Sequence, residues 1–162
     1  MLGLGEDRLS IYLNDHLAGA TAGVSLARRA AASNRATSYG DVLEEIAREI
    51  EEDRQALVDV MQRLSVGQDH VKVALAWGAE QASRLKLNGS LLGYSPLSRL
   101  EELEALSLGV EGKASLWKAL RRTHGDDPRL RDVDLAALLE RAQSQRRRLE
   151  RQRIRAADEA LT

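Results

Sequence analysis

The sequence predicts an all-α chain, a bundle of four long helices with a shorter fifth helix in the central connector. Three observations lead there. Apolar residues recur three and four apart over long stretches, the period of a helix with one buried face. The composition is dominated by Ala, Leu, Arg and Glu, with no Phe, 2 Trp and 3 Tyr, a mixture that favours helix over strand. Capping and breaking residues then divide the chain into segments of similar length. The 162 residues read as one domain, 1–162, of a size that buries about 68–70% of its unfolded surface.

The first helix is expected from about Leu9 to Ala32, with Leu13, Leu17, Ala20, Val24, Ala27 and Ala31 on one seam. The loop "NRATSYG" follows. Asp41 is the expected N-cap of the second helix, with Glu44 completing a capping box; the helix runs to about Leu64, and Gly67 is its end signal. Asp69 caps a shorter third helix from His70 to about Leu87, stopped by Asn88-Gly89. In "YSPLS", Ser95 caps the fourth helix and Pro96 takes its first position. Leu103, Val110 and Trp117 recur at sevens along it, with Leu106, Ala114 and Leu120 beside them, and Gly125 and Pro128 end it. Asp134 caps the last helix, whose apolar face carries Leu135, Leu138, Ala142, Leu149 and Ala156.

Composition also excludes functions. A net charge of −1 gives no global field for nucleic acid or an anionic membrane. Without Cys there is no disulfide, thiolate metal site or Cys nucleophile. No segment approaches the ~18 uninterrupted apolar residues of a membrane span. The start "MLGLGEDRLS" is acidic and lacks the features of a secretory signal, so the expected compartment is the cytoplasm.

The four long helices are each about 24 to 27 residues, or roughly 36–40 Å at 1.5 Å per residue. Two long helices, a long crossover and two more long helices is the connectivity of ferritin-like bundles. A five-helix up-and-down array fits the same lengths. In the ferritin-like arrangement the second helix lies antiparallel to the last, with Asp53 level with Arg147. Acidic residues crowd the second helix there, and "RRRLERQRIR" (146–155) crowds the last with arginine. The expected pairs are Glu52 with Arg148, Glu49 with Arg151 and Glu45 with Arg155, each contributing ~0–1 kcal/mol. The arginine run is also a candidate nucleic-acid surface. Against that, it contains no aromatic residue for base stacking and faces an acidic strip.

One stretch breaks the pattern. In "LEEIAREIEEDRQAL" (43–57) the seam formed by Leu43, Ile46, Ile50 and Leu57 is interrupted by Asp53, seven residues beyond Ile46. Lys113 interrupts the fourth helix in the same way, seven beyond Leu106 and seven before Leu120. An isolated buried charge is costly, whereas opposite charges satisfy one another. The expectation is a mid-bundle ion-pair layer of Asp53, Arg54, Lys113 and Gln145, with an arginine of the last helix as a further candidate partner.

In ferritin-like proteins that level holds two metals, bound by Glu and Glu-x-x-His ligands. No Glu-x-x-His occurs here, and the histidines are His16, His70 and His124. His70 and His124 fall at helix edges, and His16 is placed away from the level of Asp53. The remaining metal candidates are carboxylates alone: Glu49, Glu52 and Asp53, with Glu104 or Glu111 across the bundle. Oxygen ligands suit a hard cation such as Mg²⁺, Ca²⁺ or Mn²⁺. No cofactor is expected, and a metal ion stays open as the alternative.

The segments "YLNDHLAGATAGVSLARRAA", "EIEEDRQAL", "VKVALAWGAEQASRLKLNG", "YSPLSRLEELEALSLGVEGKASLW" and "DLAALLERA" resemble a family of small uncharacterised proteins, chiefly actinobacterial. The resemblance spans nearly the whole chain. It implies a ferritin-like fold in a bacterial protein and assigns no catalytic residue.

Other stretches carry weaker signals. Gly19 and Gly23 in "GATAG" imply close packing against a neighbouring helix; the functional alternative is room for a ligand in mid-bundle, with Thr21 offering a hydroxyl. Leu91, Leu92 and Tyr94 in "LKLNGSLLGYSPLS" form a candidate contact surface for a homodimer or another protein partner. "GVEGK" lacks the spacing of a phosphate loop, and no serine has a His-Asp partner pattern. The leading expectation is a non-enzymatic interaction or assembly bundle. A carboxylate-rich metal or redox bundle is the alternative, with nucleic-acid binding third.

Overall fold

The computed structural model describes residues 3–75, 79 and 93–162, and these are all-helical apart from turns, with no strand among them. The long helices are α1 (Gly3–Asn34), α2 (Gly40–Arg63), α3 (Pro96–His124) and α4 (Leu135–Leu161). Residues 70–75 are also helical, and a 3-10 turn covers Pro128–Leu130. No helix among the described residues is long and apolar enough to cross a membrane.

Local chemistry accounts for the helix ends. The Ser95 hydroxyl accepts from the Ser98 amide at 3.1 Å while Ser98 Oγ accepts from the Ser95 amide, a reciprocal cap in front of Pro96. Asp134 accepts from the Ala137 amide at 2.9 Å, and Asp69 accepts from the Val71 and Lys72 amides at 3.1 and 3.0 Å. Asp41 does not cap α2. That helix starts two residues earlier than expected, at Gly40 behind Tyr39, whose side chain makes no cap bond. The cause lies in the preceding turn, where Thr37 bonds back to Asn34 and Gly40 to Thr37, so the backbone enters α2 already coiled. Only glycine fits at position 40, because a Cβ there would lie 2.8 Å from the Arg35 carbonyl oxygen. Nor does Gly67 terminate α2. Ser65 takes the left-handed conformation, φ 59°, and the Val66 amide bonds the Met61 carbonyl at 2.8 Å, closing a Schellman turn.

Helix α1 packs on α2 and α3, and α4 packs on α3 and more thinly on α2. Cross-helix contacts give the directions. Thr21 meets Arg54 and Arg28 meets Glu51 between α1 and α2; Arg29 meets Glu102 and Asn34 meets Arg99 between α1 and α3. Glu104 meets Arg153 and Glu111 meets Arg146 between α3 and α4; Glu45 meets Arg148 and Glu52 meets Arg141 between α2 and α4. All four neighbouring pairs are therefore antiparallel. The buried apolar side chains, among them Leu17, Ile46, Leu57, Leu103, Trp117 and Leu149, form one cluster shared by the four helices.

Candidate functional site

The polar layer is built around Asp53, which is 2% exposed on α2. Its Oδ1 accepts from Arg141 Nε at 2.7 Å and from a terminal nitrogen of the same guanidinium. Its Oδ2 accepts from the Lys113 ammonium and from Gln145 Nε2 at 3.0 Å. Gln145, fully buried, also accepts from Lys113 and donates to Glu49 at 3.0 Å. Arg148 completes the layer by donating to Glu49 at 2.5 Å. Side chains of α3 and α4 thus converge on a carboxylate of α2, and four hydrogen bonds satisfy both of its oxygens. Burial pushes the Lys113 ammonium below its usual range, opposed by the attraction of Asp53.

Arg54 stands apart from this layer, since its Nε donates to Thr21 Oγ1 at 2.9 Å. The α2–α4 register also differs from the expected one. Arg148 meets Glu49 and Glu45, Arg141 meets Glu52, and Arg155 lies on the Tyr39 ring at 3.8 Å. In this register Asp53 meets Arg141, which lies N-terminal to the arginine run. Arg146, Arg148 and Arg153 of that run all have carboxylate partners.

The carboxylates considered as metal ligands do not converge. Glu49 is held by Arg148, Glu52 by Arg48 and Arg141, Glu104 by Arg153 and Glu111 by Arg146. Among the described residues, no three His, Asp or Glu side chains gather as a metal would require. With Asp53 saturated by nitrogen donors, this donor set does not fit the two-metal centre of ferritin-like bundles. His70 is exposed, and His124 shares a 2.7 Å hydrogen bond with Thr123.

His16 sits five residues before Thr21, the α1 residue that meets Arg54, so it lies toward the start of α1 and away from the level of Asp53. It lines a cavity of about 240 Å³ between α1 and α3 whose floor includes Asp53 and Leu57 of α2. Lys113, Arg54 and Trp117 also line it, as do Gly19 and Gly23 of α1 and Gly109 and Gly112 of α3. Among the described residues, no atom lies within 4 Å of a Cβ added at any of these four positions. Thr21 is engaged by Leu17 and Arg54 and is not among the cavity's lining residues. Desolvation holds the His16 imidazole below its ordinary value, with Asp15 opposing the shift. Asp15 is paired with Lys72 at 2.8 Å. The indole N–H of Trp117 is buried without a partner among the described residues.

Leu91 and Leu92 lie outside the described residues. Tyr94 is 38% exposed, yet its hydroxyl is fixed by Asn34 at 2.7 Å and Glu102 at 2.9 Å. Sequence reasoning missed the cluster this belongs to. Buried Asn34 accepts from Arg99 at 2.6 Å, and Arg99 covers the buried ring of Tyr39, whose hydroxyl donates to Glu159 at 2.8 Å. A tyrosine directly before a glycine in a polar loop was the available signal, because so large a ring beside a turn needs cover. No protein-family model, curated protein or solved structure matches the chain.

Proposed function

We propose that this chain is a ferritin-like four-helix bundle in which ion pairs replace the metals of that architecture, and that it acts by association with other molecules. The observation that carries the reading is the Asp53 carboxylate, saturated by Lys113, Arg141 and Gln145 from two other helices. A carboxylate so engaged has no lone pair left for a metal, and the arginines on Glu49, Glu52, Glu104 and Glu111 work against a carboxylate-only site in the same way.

The connectivity has independent support. With every neighbouring pair antiparallel, α2 and α3 point the same way, so the end of α2 and the start of α3 lie at opposite ends of the bundle, which supports the crossover reading. One shared core supports a single domain. The bacterial family resembled, a cytoplasmic location and a homodimer or other protein partner belong to the same reading. Exposed Leu97 and Leu108 on α3 are the kind of surface such a partner uses.

The test is metal content after incubation with iron and with manganese in chelator-free buffer, followed by desalting and elemental analysis. The expected result is no stoichiometric metal. Stoichiometric metal that is lost in Asp53→Ala or Glu49→Ala overturns the proposal and revives a redox role.

A further inference from the structure

The outer face of α3 is acidic toward one end and basic toward the other, with an exposed leucine between. We propose that this face packs against the same face of a second copy of the chain, α3 against α3 and antiparallel. The inference rests on the association reading and names its partner and its surface.

Periodicity defines the face. Glu101, Leu108, Ser115 and Arg122 recur at sevens along α3, and all four are exposed. Residues seven apart lie nearly in line on a helix, drifting by only ~20° per heptad, and such a stripe is the seam along which two helices pack at a shallow angle. Leu108 is 76% exposed, more than any other large apolar side chain among the described residues. An exposed leucine by itself signifies little. This one has an acid one heptad before it and, beyond the small Ser115, a base two heptads after it.

The charges select the partner. Arg122 and Lys118, one turn before it, have no carboxylate within salt-bridge distance among the described residues, and Glu101 has no cation there. Glu104 and Glu111, at the edge of the stripe, are already balanced by Arg153 and Arg146 of α4. A second copy turned end for end, about a two-fold axis between Glu111 and Gly112, sets Glu101 of each chain opposite Arg122 of the other. The same turn lays each Leu108 over Ser115 of the other chain. Parallel packing would instead set acid on acid and base on base. The contact is isologous, so it closes at two chains. Glu101 and Arg122 are roughly 31 Å apart at 1.5 Å per residue, so the pairing spans most of α3.

Sedimentation velocity of the full chain, at concentrations rising to several hundred micromolar, tests this. The parent is expected to become a dimer. Glu101→Arg and Arg122→Glu are each expected to weaken dimerisation about tenfold or more while keeping the parent's thermal midpoint. An equal mixture of these two variants is expected to recover the parent's association, because in the mixed pair each charge again meets its opposite. A role of either residue within its own chain would give no such recovery. Asp158→Arg, the same charge change at an exposed position of α4, is the control expected to associate as the parent does. A monomer at every concentration, undiminished dimerisation in both variants, a mixture no stronger than its components, or equal loss in the control overturns the proposal. Metal content separates the two readings. A monomer without metal refutes this surface and leaves the association role to another partner, whereas stoichiometric metal lost in Asp53→Ala refutes that role's basis whatever the oligomeric state.

Discussion

Asp53 holds its place because every lone pair facing the protein has a donor. A carboxylate 2% exposed is tolerable only when paired and hydrogen-bonded. The need for a partner was legible in the sequence, since a charge at a seven-residue spacing within an apolar seam demands one, and Lys113 interrupted its own stripe in the same way. The partner's identity was less legible. Arg54 adjoins Asp53 in sequence, but consecutive helical residues point about 100° apart, and Arg54 turns toward Thr21. His16 lies toward the start of α1, away from the level of Asp53, as its place five residues before Thr21 shows. Its environment has a measurable consequence. The ordinary imidazole value is 6.5, and desolvation lowers that of His16 despite Asp15, itself paired with Lys72. The folded state thus favours the neutral ring. Its contribution is fully present above the unfolded value and declines as pH falls below it. Between about pH 6.5 and pH 5, His16→Gln is expected to lose less stability than the parent, measured as the shift in urea midpoint. An identical shift in both proteins would count against this assignment.

At the scale of the helices, caps with a Ser or Asp directly before the first turn were readable: Ser95 and Asp134 both bond amides of the helices they precede. Asp41 was misleading because the Asn34–Gly40 turn is itself coiled, so α2 begins before any side chain can cap it. As a first-turn acid it still interacts favourably with the helix dipole. Leu139 is buried more deeply than Leu138, which sits at the core's edge, a shift of one position in the face of α4. Glycines show the limit of pattern reading most clearly. Gly40 is required by a backbone carbonyl 2.8 Å from where its Cβ would lie, whereas at Gly19 no atom of a described residue comes within 4 Å of that position. Alanine substitutions therefore have opposite expected signs. Gly19→Ala raises stability by up to about 1 kcal/mol through helix propensity, and Gly40→Ala lowers it by ~1–3 kcal/mol through overpacking. Chemical denaturation of the two variants distinguishes them, and the same sign for both would refute the contrast.

For the whole molecule, the all-α class, the helix count among long segments and the core seams followed from periodicity and composition. The helix register did not. Aligning midpoints placed Arg147 beside Asp53, but α4 is set by the cation that reaches the buried carboxylate, and that is Arg141. On this account the buried Asp53 carboxylate, bonded by side chains of α3 and α4, sets how those helices sit against α2, a specificity role that exposed ion pairs of ~0–1 kcal/mol are too weak to fill. The central claim is that cations, and not a metal, hold Asp53. A double-mutant cycle with Asp53→Leu and Lys113→Met, followed by urea unfolding with and without added manganese, tests it most directly. The account predicts a coupling energy of about 1–3 kcal/mol, with either single change costing more than the pair together and manganese leaving all four midpoints unmoved. Coupling near zero, or stabilisation by manganese that disappears with Asp53→Leu, would contradict it.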